Sequence, residues 1–584
     1  MAHDLNSKIK EILSGEKEIS MEIRLLLAFA LMGLVLFGTQ FLMPKPPQKP
    51  VDQKAQVAAP QAQPASAQPA ESPKPQAPAT AAPAKAVAAK AAPAKSGDEK
   101  PAAVAVVAAE KEETHVVDTD VYRIVFSNRG AAIRSWILKK YKDGQGKPVE
   151  LVDSRAGLAF SYFSPVPAAE FNKALFVVKQ DGPFAVDFLY SDGVSSARKT
   201  FKFEKAAYRG TFSSELSVGG KPQAHKLAWR GGFGDRTVHN ALDVQHSVYF
   251  DGAKSKLVTA SAKDASKGPI SATPDFHFAG MEDTYFAGVI LPEAGTGVEF
   301  ITVHDMFAAA QGEEAKEHVG VAFGGKDTFQ SVLFVGPKDT DILRDTNRKL
   351  ESMIDWGWFW FIAKPLFLSL HWINDKLTAS WGWAIVLATV IINLLMLPLR
   401  FSQLRSSQKM AAIQPELQAI QARYKNIPMK DPRKQKQNEE MMALYQKHGI
   451  NPMGGCVPLL LQMPFFIAFF KVLSVAIELR GAQWLWVTDL SQPETTLIRF
   501  LPVGMLVTQV LMQKMTPAAS PDPSQQRLMM IMMPIMLTVM FYGASSGLVL
   551  YWLTGNVVGI VQQYFFNQAA TKRSPAQAAT SKKK

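Results

Sequence analysis

Five apolar spans crowd the last third of this chain, and every one of them carries amides or hydroxyls in its interior. A helix needs about 20 apolar residues to cross a hydrocarbon layer about 30 Å thick. The pattern predicts such helices over 381–399, 457–475, 497–513, 528–543 and 547–566, with 497–513 the weakest of them. A sixth apolar run, 25–43, stands alone behind a short tail, 1–24. It exceeds the usual signal core of about 7–15 residues, and PKPPQKP follows it in place of a small-x-small cleavage site, so it reads as a retained anchor. The expected fold class is therefore a polytopic α-helical membrane protein with six transmembrane helices.

Charge orients these spans. The insert 400–456 is strongly basic (Arg400, Arg405, Lys409, Arg423, Lys425, Lys430 and more), and its helical pattern is broken by KNIPMKDP, which predicts a helical hairpin. Short loops rich in Lys and Arg stay in the cytoplasm. Alternation from there places 480–494 outside, the loop 512–527 inside and the basic tail 567–584 inside, with the whole region from Pro44 to about Ser380 outside.

That outer region changes character along its length. Residues 44–113 are Ala, Pro, Lys and Gln, a composition that buries no core and behaves as an extended tether. From 114 to about 350, short alternating runs such as VYRIVFSN and SVLFVG, cut by Gly, Asp and Pro, predict an all-β sandwich. Residues 351–380, with Trp356, Trp358 and Trp360 at the start of an interrupted apolar run, suit a helix lying in the outer interface.

Catalytic and metal chemistry find little support. GVAFGGKD (Gly320 to Asp327) imitates a phosphate loop, but Asp327 stands where Ser or Thr would hold magnesium, and strand-like runs flank it. GGFGD (Gly231 to Asp235) reads as a turn, and the single Cys456 excludes an intrachain disulfide and reads as a small buried residue. The ten His show no ligand spacing, so no metal or cofactor is expected. His239, His246 and His304 are the acids and bases that a sugar-epimerase reading of the β region would have to use, and their spacing does not recommend them.

The end of the insert and the spans beyond it are distinctive. EEMMALYQKHGINPMGGCVPLLLQMPFF, then IELR, DPSQQRLMMIMMP and SSGLVLYWLTGNVVGIVQQ, resemble the YidC membrane protein insertase family in order from about Phe367 to Asn567. The resemblance implies a five-helix insertase core with a hydrophilic groove open to cytoplasm and lipid, and a periplasmic β-supersandwich. It also implies nascent membrane proteins as substrates, taken alone or beside the Sec translocon, at the cell inner membrane.

The residues agree with a groove. Intramembrane polar side chains usually face an interior or a water-filled cavity. Thr389, Asn393, Gln462, Gln509, Thr538, Thr554, Asn556 and Gln562 are spread over all five spans, which favours a wet cavity over isolated interhelical hydrogen bonds worth about 0.6–2 kcal/mol each. Thr389, Asn393, Arg400, Gln462, Gln509, Trp552 and Asn556 are the groove candidates, and Met463, Phe465 and Phe466 the greasy substrate contacts. The second and fourth apolar spans resemble the family's release side. Lys572, Arg573, Lys582, Lys583 and Lys584 are candidates for contact with rRNA of a translating ribosome and with anionic lipids. One departure stands out: aligned on the family pattern, Asn393 occupies the place of its groove arginine. Arg400 lies seven residues on, about 10 Å nearer the cytoplasm at 1.5 Å per residue. Lys471 is expected to snorkel outward. A solute transporter or channel is the alternative from another class, but the chain shows no inverted repeat.

Overall fold

The computed structural model describes residues 105–581 apart from 164–167, 238–244, 273–275, 294–295, 309–313, 425–426, 428–430, 451–456 and 517–522. The segments 1–24, 25–43 and most of the tether therefore lie outside the described residues, as do Cys456 and His239. The chain joins the β domain earlier than its composition predicts. Val107 exchanges backbone bonds with Ser191 (2.8 and 2.7 Å), and Glu112 pairs with Arg129, so 107–113 belongs to the domain rather than to the tether.

Three antiparallel sheets make this domain. The largest has ten strands, in the order Lys256–Ala260, His246–Asp251, Phe276–Glu282, Phe286–Pro292, Thr328–Pro337, Arg209–Val218, Ser196–Phe203, Ala185–Ser191, Val177–Lys179, with Lys221–Pro222 added beside Arg209–Val218. A five-stranded sheet (Ser271–Ala272, Glu299–Ala308, Ala315–Lys326, His225–Trp229, Ser161–Phe163) and a four-stranded one (Thr114–Asp118, Tyr122–Ser127, Ala132–Lys142, Pro148–Glu150) complete it. The phosphate-loop imitation is the end of one long strand, with Gly324 at φ +139 forming an irregularity against His225 and Lys226, and no helix follows it. His246 and His304 fall on different sheets.

Period-two alternation explains the packing. In Ser196–Phe203 the inward positions are Ala197, Lys199, Phe201 and Phe203. Phe201 then meets Phe126, Phe160 and Phe212 at centroid distances of 5.1–6.0 Å in a ring cluster closed by Trp229 and Phe323. Lys199 sits fully buried among these rings. Its Nζ donates to the carbonyls of Gly130 (2.9 Å), Ala131 (3.2 Å) and Phe160 (2.6 Å) and lies 4.0 Å from the Tyr162 ring centroid. All three residues that supply these carbonyls have left-handed backbones (φ +70, +49 and +61), two of them without being glycine.

Helices follow. α1 (Thr340–Thr346) and a 3-10 turn, Arg348–Met353, lead to α2 (Trp360–Ile373), which exposes Trp360, Phe361, Leu368 and Trp372. A π-turn, Asn374–Thr378, and left-handed Ala379 swing the chain into α3 (Trp381–Leu395). α3 stops at Met396, and α4 (Leu397–Ala412) restarts with Pro398 in its first turn, where a missing N–H is harmless. Pro415 repeats the device at the start of α5 (Gln414–Arg423), so the first arm of the hairpin is two helices instead of one. α6 (Arg433–Lys447) packs back on α5 through Leu417, Ile420 and Leu444, with Tyr424 Oη donating to Glu440 at 2.8 Å. The bundle is completed by α7 (Val457–Val475), α8 (Phe500–Met515), α9 (Pro523–Phe541) and α10 (Ser546–Ser581).

Among the described residues no single helix is long and apolar enough to cross a membrane; α2 with its π-turn and α3 pass only together, bent by 116°. The side chains are nevertheless sorted as they would be against lipid. Thr389, Gln509, Thr554, Asn556, Gln562 and Gln563 are all buried, whereas Leu394, Leu395, Val507, Ile535, Val539, Val561 and Phe565 are exposed. A water-soluble protein sorts its side chains the other way. Contiguous exposed apolar surface on this scale marks contact with something apolar, here on several helices at once.

Candidate functional site: a one-sided polar seam

α10 packs on α8 and α3, and its buried face changes character along its length. Leu548, Val549, Leu550 and Tyr551 are apolar, after which Thr554, Asn556, Gln562 and Gln563 are polar. The same turn happens on α8, from Leu501 and Met505 to Gln509, and on α3, from Ala384, Ile385 and Ala388 to Thr389. All three helices switch in the direction leading away from the β domain.

Residues 552, 556, 559, 563 and 567 recur at intervals of three, four or seven, one stripe of a helix. Trp552 Nε1 donates to Gln509 Oε1 at 3.5 Å, Asn556 Nδ2 to Thr508 Oγ1 at 3.2 Å, and Asn567 Nδ2 to the Met515 carbonyl at 3.3 Å. From the adjoining face Gln562 Nε2 reaches the Asn393 carbonyl at 3.4 Å. These are long for N–H···O bonds, whose distances centre near 2.9–3.0 Å. Asn393 Nδ2 and Thr389 Oγ1 bond within their own helix, at 2.8 and 2.6 Å. The seam is thus bridged, but loosely.

Arg400 turns into this seam. Its Nη2 is 3.7 Å from Met512 Sδ, and a Cβ added at Gly559 would lie 2.6 Å from that nitrogen. The absence of a side chain at Gly559 is what makes room for the guanidinium. Among the described residues no carboxylate pairs with Arg400.

The opposite end of the bundle is sealed. Trp484, Val487 and Leu490 of the loop after α7 enter the apolar core of the bundle, and Trp484 sits against Gly382, where no Cβ would fit. Ser546 donates to the Gln492 carbonyl from both N and Oγ at 2.8 Å. Glu494 caps α8: burial pushes its carboxyl pKa up, but donors from Leu501 N, Thr496 Oγ1, Phe500 N and Trp486 Nε1 outweigh that and hold it below its ordinary value.

The other sequence candidates are placed differently. Gln462 is exposed, and Met463 and Phe465 are half-buried. Phe466 is not a surface contact: it is buried, edge-on to Trp552 at 5.0 Å, because it fills the space between α7, α9 and α10. The exposed apolar face belongs to α9, with Ile531, Met532, Ile535, Met536, Val539 and Met540. Lys471 does not reach into solvent but donates to Asp355 Oδ2 at 2.6 Å, since that carboxylate lies just before α2. Lys572 and Arg573 fall on the last turns of α10, their side chains outside the described residues; Lys582, Lys583 and Lys584 lie wholly outside them. Sequence reasoning missed Thr508 on α8 and Gly559, Gln563 and Asn567 on α10, although the spacing of the last three with Trp552 and Asn556 was readable.

Comparison with known proteins agrees with this architecture. The family described as 60Kd inner membrane protein matches residues 372–573, and the YidC periplasmic domain matches residues 114–369. The membrane protein insertase YidC of Geobacter sp. (strain M21) is 33% identical over 77% of this chain and 85% of its own length. This chain belongs to the YidC membrane protein insertase family. YidC relatives from Ralstonia nicotianae (33% identity, 82% of this chain and 87% of that one) and Geotalea daltonii (30%, 94% and 99%) match over similar or longer stretches. An active YidC insertase crystal structure with its first transmembrane domain resolved aligns at 19% identity over 79% of this chain and 95% of its own, with a TM-score of 0.36, a likeness too loose to add detail. As in other YidC proteins, the β domain is periplasmic and the helical region belongs to the inner membrane. The sealed end of the bundle is the end nearer the β domain.

Proposed function

We propose that this chain inserts nascent membrane proteins into the inner membrane by lowering the cost of moving their polar flanks through hydrocarbon. The observation that carries the reading is the seam on α3, α8 and α10, polar away from the β domain and sealed toward it. A charge at mid-depth costs at least about 2.5–3.5 kcal/mol on insertion scales. Hydrating half the path removes much of that barrier, with no covalent step, cofactor or nucleotide. In this reading the six helices span the membrane with both termini in the cytoplasm, and the substrate's apolar helix leaves along the exposed face of α9, where the unbranched side chains of Met532, Met536 and Met540 suit varied partners. The hairpin cations and the basic tail draw translating ribosomes and anionic lipid by phosphate attraction that weakens with salt, and the Sec translocon is a partner for some substrates.

The test is reconstituted insertion of a substrate with a polar translocated flank. Gln509→Leu combined with Asn556→Leu dries the seam at nearly constant volume. The rate is expected to fall roughly tenfold, about 1.4 kcal/mol of barrier, while a substrate without a polar flank inserts normally. Unchanged rates for both substrates would end the proposal.

A further inference from the structure

Two motifs far apart in the sequence meet in the structure. The turn GGFGD ends in Asp235, and IELR, at the periplasmic end of α7, ends in Arg480; the two side chains form an ion pair in which they are 4% and 3% exposed, Arg480 first. Arg480 also donates from Nε and Nη2 to the Lys142 carbonyl at 3.1 and 2.7 Å, and its guanidinium lies 5.3 Å from the ring centroids of both Tyr285 and Phe286. Asp235 is itself fixed, its Oδ1 accepting from Thr237 N and Oγ1 at 2.8 and 2.7 Å and its N–H donating to buried Asp283 at 2.9 Å. Ile477, three residues before Arg480, is buried in the core of the β domain. Two further ties hold the same stretch: Lys471 to Asp355, and Glu478 Oε1 to His371 Nε2 at 3.2 Å.

We propose that Arg480 is a positioning residue for insertion, which locks the periplasmic end of α7 onto the β domain and so fixes the tilt of the helix that carries Met463, Phe465 and Phe466 beside the seam. α7 is a lever here. At 1.5 Å per residue, the nine residues from Phe466 to the end of the helix at Val475 span about 14 Å, and a short 3-10 turn, Ile477–Leu479, joins that end to Arg480, so a small shift at the lock displaces the groove wall. The proposal rests on the insertase reading for its functional half, and the physical coupling is measured separately.

An ion pair this deeply buried fails asymmetrically. Removing one partner leaves a charge without solvent or counter-charge, whereas neutralising both leaves none. The full chain, reconstituted in vesicles, is compared as wild type, Asp235→Asn, Arg480→Gln and the double variant, by amide exchange over α7 and by insertion rate. Asp235→Asn is expected to speed exchange over Gln462–Val475 and slow insertion, each roughly tenfold, and the double variant to recover a good part of both. A merely structural role would loosen only the turn at 231–235 and the strand Phe286–Pro292. Exchange in α7 unchanged by Asp235→Asn, or a double variant no better than that single one, overturns the proposal. Altered α7 exchange with unchanged insertion also overturns it, by showing a lock that does not position the working wall. Should Asp235→Asn fail to fold, Arg480→Lys, which keeps the charge but loses the planar fork, decides the matter by the same two readouts: an intermediate change in both upholds the proposal, and no change in either rejects it.

Discussion

Lys199→Met is expected to cost the β domain on the order of 3–5 kcal/mol. The aliphatic part of the side chain is preserved, so the loss falls on the three carbonyls of Gly130, Ala131 and Phe160, which Nζ alone draws together. Each carbonyl left buried without a donor costs about 1–3 kcal/mol. Ala131 and Phe160 hold left-handed backbones that nothing in their side chains favours, and the amine is what compensates. Burial also pulls the lysine's pKa well below its ordinary value. The unfolded chain therefore binds the proton more tightly than the folded one, in which the ammonium, with one N–H for each of the three carbonyls, persists only below that lowered pKa. Stability should rise with pH between that lowered value and the ordinary lysine pKa of about 10.4, and Lys199→Met should abolish that rise. Denaturant unfolding at two pH values checks both statements, and a variant as stable as the parent contradicts them.

Arg400→Ala is expected to slow the insertion of substrates with acidic translocated tails by more than tenfold and to spare the same substrates with neutral tails. Arg400 points at Gly559 and Met512 with no carboxylate beside it among the described residues. A passing carboxylate at about 4 Å would gain roughly 4 kcal/mol at an effective dielectric of 20. Gly559→Ala, which displaces the guanidinium without removing it, should reproduce the same selectivity more weakly. Asn393→Arg should rescue Arg400→Ala, because it returns a cation to the seam beside Gln562, three residues from Gly559. Equal losses for both tails would make Arg400 a positive-inside anchor and nothing more.

The legible part of this molecule was the part governed by local periodicity. Alternation announced the strands, and Lys and Arg placement announced the hairpin; Pro398 and Pro415 could also have announced the breaks around α4. What stayed hidden was facing. Phe466 reads as greasy in any order, and only packing against Trp552 shows that it points inward. Lys199 sits at an inward position of its strand, but a lysine is ordinarily read as solvent-facing, so the pattern broke where the domain's most constrained side chain lies. The Asp235–Arg480 pair spans 245 residues, and no single sequence offers a rule for a contact at that range. The polar residues of the seam were visible one by one. Their one-sidedness became visible only when three helices were set side by side.

The proposed route of insertion requires that one-sidedness, and water access tests it directly. In a Cys456→Ser background, single cysteines at Asn556 and Gln563, which face α8, and at Val557 and Val561, which face outward, are exposed in vesicles to a membrane-impermeant maleimide from each side in turn. Labelling is expected at positions 556 and 563 from the cytoplasmic side only, and at 557 and 561 from neither side. Labelling of 556 from the periplasmic side, or no labelling of 556 and 563 from either side, would contradict a seam that is wet toward the cytoplasm and sealed toward the periplasm.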